Sequence, residues 1–173
     1  RAREALAASF GFDAGTDSVG ISAQFLTENR DQAIDLLREA LVNPRFDQDA
    51  VDRVREQVLS NLRANEKDPG TLASERFDAL AFGDHPYAST GDGTVETVTA
   101  LTRDDVVAAH KAALARDRVY VAAAGDITAE ELGLLLDRLL GDLPATGAPQ
   151  PDDAPWLLPP GIAVFDAETE EDL

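Results

Sequence analysis

The fold of this chain is indicated first by residues 48–69, which read QDAVDRVREQVLSNLRANEKDP. Apolar residues recur there at steps of three and four, the spacing of a helix that turns one stripe toward a core. The apolar stripe consists of Val51, Val54, Val58 and Leu62, and the residues expected to face water are Arg53, Glu56 and Arg63. Asn61 lies on the flank of this stripe. The pattern therefore predicts one long amphipathic helix over residues 48–69.

Upstream of this helix the sequence predicts a β-hairpin and a second helix. Residues 9–14 and 18–26 have strand character, and the second stretch places apolar residues at period two. Residues 15–17 supply Gly, Thr and Asp for a turn between them. Residues 30–42 form an amphipathic helix that ends before Pro44, because proline cannot continue a helix.

Downstream, three more helices are predicted from their start and stop signals. Residues 71–82 form a helix that ends at Gly83, Thr102 caps the next one, and a Thr128–Glu131 capping box begins the helix of residues 129–140.

Two further stretches are predicted to lack helix. Residues 84–100, which are rich in Gly and Thr, are expected to form an irregular loop, and residues 118–124 a short apolar strand.

The C-terminal part is predicted to leave the domain. Residues 144–160 contain six prolines and cannot form a regular helix, so they are interpreted as a linker. Residues 161–173 would begin a following segment, with a strand at 162–165 and an acidic end. The expected domain therefore spans residues 1–143. Its order of elements predicts an α+β fold, a two-layer sandwich with a mixed, mostly antiparallel sheet and helices on one face.

Composition limits the classes of function. The chain has 173 residues and a formal net charge of −18, so its surface repels nucleic-acid phosphates, and nucleic acid is not an expected partner. It has no cysteine, which excludes disulfides and thiolate metal sites. No apolar run is long enough to predict a transmembrane segment.

Three segments of the chain together resemble the M16 zinc metallopeptidases, the family of pitrilysin, insulin-degrading enzyme and mitochondrial processing peptidase. They are the helix of residues 48–69, the motif FDALAFGDHPYA at 77–88 and the stretch 101–143. In that family, such a helix carries a glutamate zinc ligand, followed five residues later by an acidic residue and then by Asp-Pro. Glu66, Asp68 and Pro69 fit this pattern, and Asn61 falls on the ligand position. Since a carboxamide is a poor substitute for a carboxylate on zinc, the resemblance implies a member that has lost its metal ligand.

The first signature of the family, His-x-x-Glu-His, is absent from the sequence. The histidines are His85 and His110, which are too far apart for a metal-binding pair on one helix. In the family this motif lies upstream of the matched region, and Arg1 begins inside what looks like a helix. We therefore expect an internal piece of a longer polypeptide, most of the first of two M16 halves that close around a peptide.

The resemblance also implies a peptide-binding edge. M16 enzymes have a strand that pairs with the substrate backbone. The positions of this sequence that resemble that strand are Phe12, Asp13, Ala14 and Thr16. Pairing of main chains requires only an accessible strand edge. The alternative interpretation is that the strand serves the fold alone.

Other candidate residues have mainly structural interpretations. His85 stands in a loop before Pro86 without a recognisable catalytic neighbour, and His110 lies on a helix where packing is the simpler role. Gly91 and Gly93 form a lone Gly-x-Gly, which is a weak phosphate-binding signal.

Three functions are left open. The chain is expected to belong to a non-catalytic M16 subunit without zinc of its own, whose partner is a zinc-bearing homologue or the second half of the same chain and whose ligand is a peptide. Alternatively, it belongs to an active M16 zinc endopeptidase with His-x-x-Glu-His upstream and Glu56 or Glu66 as the zinc ligand. The third alternative is an acidic binding module unrelated to proteolysis. A bacterial periplasm is favoured slightly over the cytoplasm.

Overall fold

The structure is a computed structural model that describes residues 2–162 and residue 164. This part of the chain holds seven α-helices and one hairpin. The helices are α1 (Ala2–Ala5), α2 (Arg30–Val42), α3 (Gln48–Asn65), α4 (Pro69–Phe82), α5 (Val95–Ala100), α6 (Arg103–Ala113) and α7 (Ala129–Leu140). The strands are β1 (Ser9–Ala14) and β2 (Val19–Gln24), and short 3₁₀ helices cover Thr27–Asn29, Pro86–Ala88 and Arg116–Arg118.

The elements group into two compact units. The first lies within residues 2–46 and 104–148 and contains the hairpin with α1, α2, α6 and α7. The second lies within residues 47–103 and 149–162 and contains α3, α4 and α5. The domain of residues 1–143, the linker of 144–160 and the segment of 161–173 remain predictions.

The predicted hairpin is confirmed. β1 and β2 pair antiparallel, and three cross-strand pairs lie on one face, Phe10 with Ala23, Phe12 with Ile21 and Ala14 with Val19. The opposite face carries small and polar residues, as the period of two requires. The hairpin therefore has one apolar face and one polar face.

The core of the first unit forms between α2 and α7. Ile34, Leu37 and Leu41 of α2 pack with Leu139 of α7, and Phe10 of β1 packs against this cluster. The predicted bounds of α2 are confirmed, and so is the Thr128–Glu131 capping box at the start of α7. Both helices bury the stripe that their apolar spacing defines.

Ion pairs also join these two helices. They link Arg30 to Glu131, Arg38 to Asp142 just beyond α7, and Arg138 to Asp31 and Asp35. Solvent-exposed pairs of this kind contribute little stability individually, so the apolar cluster dominates the packing.

The predicted helix of residues 48–69 is too long. α3 ends at Asn65, and Pro69 is instead the first residue of α4, where its missing N–H costs nothing. The predicted stripe also shifts, because Val54 is 59% exposed while Leu59 is 3% exposed. Arg53, Glu56 and Arg63 are exposed as predicted.

The predicted loop of residues 84–100 is partly wrong. It contains the 3₁₀ turn Pro86–Ala88 and helix α5. Thr94 and Thr97 form a reciprocal capping box that starts α5. Threonine has modest helix propensity, so the composition of this stretch concealed a helix that its caps stabilise.

The predicted strand at residues 118–124 is also wrong. Its first residue belongs to the 3₁₀ turn Arg116–Arg118, and residues 119–124 have no regular structure. Tyr120 is 97% exposed. A strand forms only where a neighbour accepts its ladder hydrogen bonds, and across residues 2–162 the single sheet is the hairpin.

The α+β class is confirmed in its coarse form, as a mostly helical chain with a two-stranded antiparallel sheet. A wider mixed sheet with helices on one face is not formed by the described residues. The predicted strand at 162–165 falls largely outside them, since 163 and 165 are not described. In the described part of the chain, no helix combines the length and apolar character needed to cross a bilayer.

Candidate functional site

Asn61 lies within α3, four residues before its end. Its side chain is exposed, and its Oδ1 accepts a hydrogen bond from Gln57 Nε2 at 3.0 Å. This is an ordinary i, i+4 pair on a helix surface. The amide is therefore engaged locally and presents no carboxylate to a cation.

The side chains present do not fit a zinc ion. Zinc in proteins takes three or four ligands from His, Cys, Asp and Glu. Among residues 2–162 and 164, no three side chains of these types come close enough to hold a metal.

The Asp-Pro pair after α3 has a clear structural role. Asp68 caps α4, and its Oδ1 accepts hydrogen bonds from Thr71 N at 2.7 Å and Thr71 Oγ1 at 2.9 Å. The backbone N–H of Thr71, followed by its hydroxyl, lowers the pKa of the Asp68 carboxyl. Glu66 lies just beyond α3 at its C-terminal cap. The sequence Asp-Pro-x-Thr could have been identified from the sequence as a helix start.

His85 holds two backbone groups together. Its Nδ1 accepts from the N–H of Tyr87 at 3.2 Å, so its Nε2 carries the proton and donates to the carbonyl oxygen of Asp152 at 2.9 Å. Both ring nitrogens are thus used in structural hydrogen bonds. This agrees with the structural role expected for His85.

His110 has a packing role in the first unit. Its ring meets Phe46 edge to face with the centroids 5.4 Å apart. Burial lowers the pKa of His110, and this outweighs the hydrogen bond to the backbone of Leu41, which raises it. The two histidines lie in different units, and neither belongs to a group of metal-binding side chains within the described residues.

The hairpin presents an accessible edge. The N–H of Gly15 donates to the carbonyl of Ser18 at 2.8 Å. In an antiparallel pair, hydrogen-bonded and non-hydrogen-bonded positions alternate, so Phe10, Phe12 and Ala14 occupy the non-bonded positions and turn their N–H and C=O away from β2. Arg3 Nη1 donates to the Phe10 carbonyl at 3.4 Å, which agrees with this assignment.

The four predicted edge residues have no common side-chain contact. Phe12, Asp13 and Ala14 are exposed on β1, and Thr16 is exposed in the turn. Phe12 is 54% exposed, although it lies on the apolar face of the hairpin. In the described part of the chain β1 pairs with β2 alone, so its outer edge has no strand beside it.

Gly91 and Gly93 lie in a loop between the 3₁₀ turn Pro86–Ala88 and α5. Gly93 has a φ of 78° and directly precedes Thr94, the N-cap of α5. Its conformation serves the turn into this helix. No strand precedes the pair, so the arrangement required for a phosphate loop is missing from this segment.

Comparison with known proteins identifies the family. Residues 100–171 match the model of the peptidase M16 inactive domain. The chain is 30% identical over 141 residues to the non-peptidase homolog YmxG of Helicobacter pylori, covering 82% of this chain and 33% of that protein. The chain belongs to the M16 peptidase family.

A solved structure agrees with this assignment. The peptidase M16 inactive domain from Pseudomonas fluorescens superposes with a TM-score of 0.83 at 28% identity, covering 89% of this chain and 38% of that chain. The mitochondrial-processing peptidase subunit beta of Neurospora crassa is 27% identical, covering 72% of this chain and 26% of that protein.

A Mycobacterium leprae protein named as a zinc protease is 31% identical, covering 69% of this chain and 27% of that protein. The M16 chain thus spans between a quarter and a third of the length of these relatives.

Proposed function

We propose that this chain is part of a non-catalytic M16 subunit that completes the peptide-binding chamber of a zinc-bearing partner. The observation that carries the proposal is Asn61, which lies on a complete helix α3 at the position where the family resemblance places a glutamate ligand. Its amide is hydrogen-bonded to Gln57. A neutral amide is a poor substitute for a carboxylate as a zinc ligand.

Two relatives support separate parts of this proposal. One is named as a non-peptidase homolog, which supports a chain without its own proteolytic activity. Another is named as a subunit of a processing peptidase, which supports membership of a larger assembly. If these properties extend to this chain, its role is to shape a chamber and to hold substrate, while the partner supplies the zinc. The zinc-bearing partner is a homologous subunit, and the second half of the same polypeptide packs with this half without supplying zinc. The complete half, of which this chain is a part, adopts the two-layer sandwich of the family.

The outer edge of β1 is the proposed site of peptide contact. Phe12 and Ala14 direct backbone N–H and C=O groups away from β2, and an extended peptide can pair with such groups as an added strand. The side chains of Asp13 and Thr16 would line the approach to this edge. Because main-chain groups make the bonds, the edge would accept many peptide sequences.

The second candidate is an active zinc endopeptidase, a possibility that the mycobacterial zinc-protease name favours. It requires Glu56 or Glu66 to be the ligand. Glu56 is exposed on α3, and Glu66 lies past the helix end. An acidic binding module unrelated to proteolysis remains the third candidate, with support from net charge alone.

A reconstitution experiment tests the subunit proposal. The full-length protein is mixed with a zinc-bearing M16 homologue from the same organism, and cleavage of a fluorogenic peptide is followed. We expect the protein alone to be inert and the mixture to cleave faster than the homologue alone. Equal rates with and without the protein contradict the subunit proposal, and zinc-dependent cleavage by the protein alone supports the endopeptidase.

A further inference from the structure

The proline-rich segment is docked onto α4 in the second unit. The N–H of Leu157 donates to the carbonyl of Ala81 at 2.8 Å, and His85 Nε2 donates to the carbonyl of Asp152 at 2.9 Å. Trp156 meets Phe82 and Phe77 edge to face, with centroids 5.9 and 6.1 Å apart. We call residues 152–157 the strap.

The docked strap leaves an apolar surface open. Trp156 is 65% exposed, Leu157 57% and Phe77 46%. We call these three residues the Trp156 patch. The indole is fixed by two ring contacts, so it is presented in one position at little further cost in side-chain entropy. Anchored aromatic residues of this kind are enriched at the centres of protein interfaces.

The surroundings of the Trp156 patch are acidic. Segments 71–88 and 149–162 carry five acidic residues and the single base Arg76. Asp78 follows Phe77 and lies one turn before Phe82 on the same side of α4. Asp152 and Asp153 are exposed on the strap, three and four residues before Trp156.

We propose that the Trp156 patch binds a basic, leucine-rich peptide segment of a partner protein. The apolar side chains of that segment cover Phe77 and Leu157, and an arginine or lysine lies over the exposed indole with the strap carboxylates nearby. Cation–π attraction and the acidic rim favour this occupant over an acidic or neutral one. This surface belongs to the second unit and does not depend on the function proposed for the hairpin.

Fluorescence anisotropy of labelled peptides reports the binding. The full-length protein is titrated into two synthetic peptides of equal length and leucine content, one with arginine and one with glutamate at its polar positions. We expect a saturable rise in anisotropy with the arginine peptide alone. No change with either peptide, or equal changes with both, overturns the proposal.

Matched charge variants separate the patch from general attraction to an acidic protein. Replacing Asp152 and Asp153 by asparagine should weaken binding of the labelled arginine peptide about three- to tenfold, the effect of two exposed ion pairs. Asp126→Asn with Glu130→Gln removes the same charge from the first unit and should leave the affinity unchanged. Equal losses in the two double variants overturn the proposal.

A third variant tests the indole. Trp156→Phe keeps a ring against Phe77 and Phe82 but presents a weaker cation–π face, so anisotropy of the labelled peptide should report weaker binding. Circular dichroism confirms that each variant is folded. Unchanged affinity in Trp156→Phe overturns the role of the indole. If this variant does not fold, the double variant with asparagine at positions 152 and 153 tests the proposal instead.

Discussion

Gly15 donates its backbone N–H to the carbonyl oxygen of Ser18 at 2.8 Å, and this bond sets the hydrogen-bonding phase of the whole hairpin. Ala14 pairs with Val19 in the next position, which is non-hydrogen-bonded, so its N–H points outward. Asp13 pairs with Gly20 and points its N–H toward β2. Two adjacent residues of β1 therefore direct their N–H groups to opposite sides, Asp13 toward β2 and Ala14 toward the open edge.

Ala14→Pro removes one outward donor and should weaken peptide binding in the assembled complex. The expected loss is about 0.5–1.5 kcal/mol, the net value of one hydrogen bond. Ala14→Val keeps the donor and should bind nearly normally. Isothermal titration calorimetry of the two complexes with the same peptide measures the difference in affinity. Equal affinities would contradict peptide binding at the β1 edge and leave β1 with a structural role alone.

The neighbouring position supplies a control on the hairpin phase. Asp13→Pro removes an inward donor, so it should break the β1–β2 ladder and lower the free energy of unfolding. Ala14→Pro should lower that free energy much less. Urea unfolding followed by circular dichroism compares them, and the reverse order of stability shows that the edge has been assigned in the wrong phase.

Asp68 should make stability depend on pH in the acid range. Hydrogen bonds from Thr71 lower its pKa in the folded protein, so its contribution is complete above the pKa of the unfolded chain. That contribution is lost as the pH falls through the folded-state pKa. Asp68→Asn keeps a neutral acceptor and should flatten this part of the curve. Urea unfolding from about pH 2 to about pH 6 tests this, because that range extends to both sides of an ordinary carboxyl pKa. Identical stability curves for the natural protein and Asp68→Asn would contradict the role of the Asp68 carboxylate as the cap of α4.

His110 should make the stability of the protein depend on pH in a higher range than Asp68 does. Burial lowers its folded-state pKa, so the unfolded chain binds the proton more readily. Stability is then complete above the unfolded pKa, about 6.5, and declines as the pH falls toward the folded value. His110→Gln should remove this decline. Unfolding curves from about pH 5 to 8 cover the window, and an unchanged slope in the variant assigns the titration to another group.

Thr128 should contribute to stability through the capping box of α7. Its Oγ1 accepts from the N–H of Glu131 at 3.2 Å, so Thr128→Ala leaves that donor without its cap. The expected cost is about 0.5–2 kcal/mol. Thr99→Ala is the control, since the exposed Thr99 bonds back to the carbonyl of Val95 within α5. Chemical unfolding should show a clear loss for the first variant alone.

The sequence predicted elements whose signals are local. The hairpin, α2 and the start of α7 follow from period-two alternation, an apolar stripe and a capping box. Residues 119–124 have the composition of a buried strand but lack a pairing neighbour in the described part of the chain, and composition cannot supply one. The sequence pattern places the end of α3 too late, because Pro69 is the first residue of α4.

The candidate site was predictable to a similar degree. Asn61 and the β1 residues could be placed on their elements from spacing alone. The docking of the strap could not, because it depends on contacts between residues about 75 positions apart, such as Ala81 with Leu157. Prolines indicated an irregular segment, but carried no information about the surface on which it lies.

The zinc content of the full-length protein tests the central claim most directly. Mass spectrometry of the metal after dialysis is compared between the natural protein and Asn61→Ala. A subunit with a carboxamide at the ligand position should retain no stoichiometric zinc, and the substitution should change nothing. One zinc ion per chain that is lost in Asn61→Ala, in Glu56→Gln or in Glu66→Gln would contradict the non-catalytic assignment.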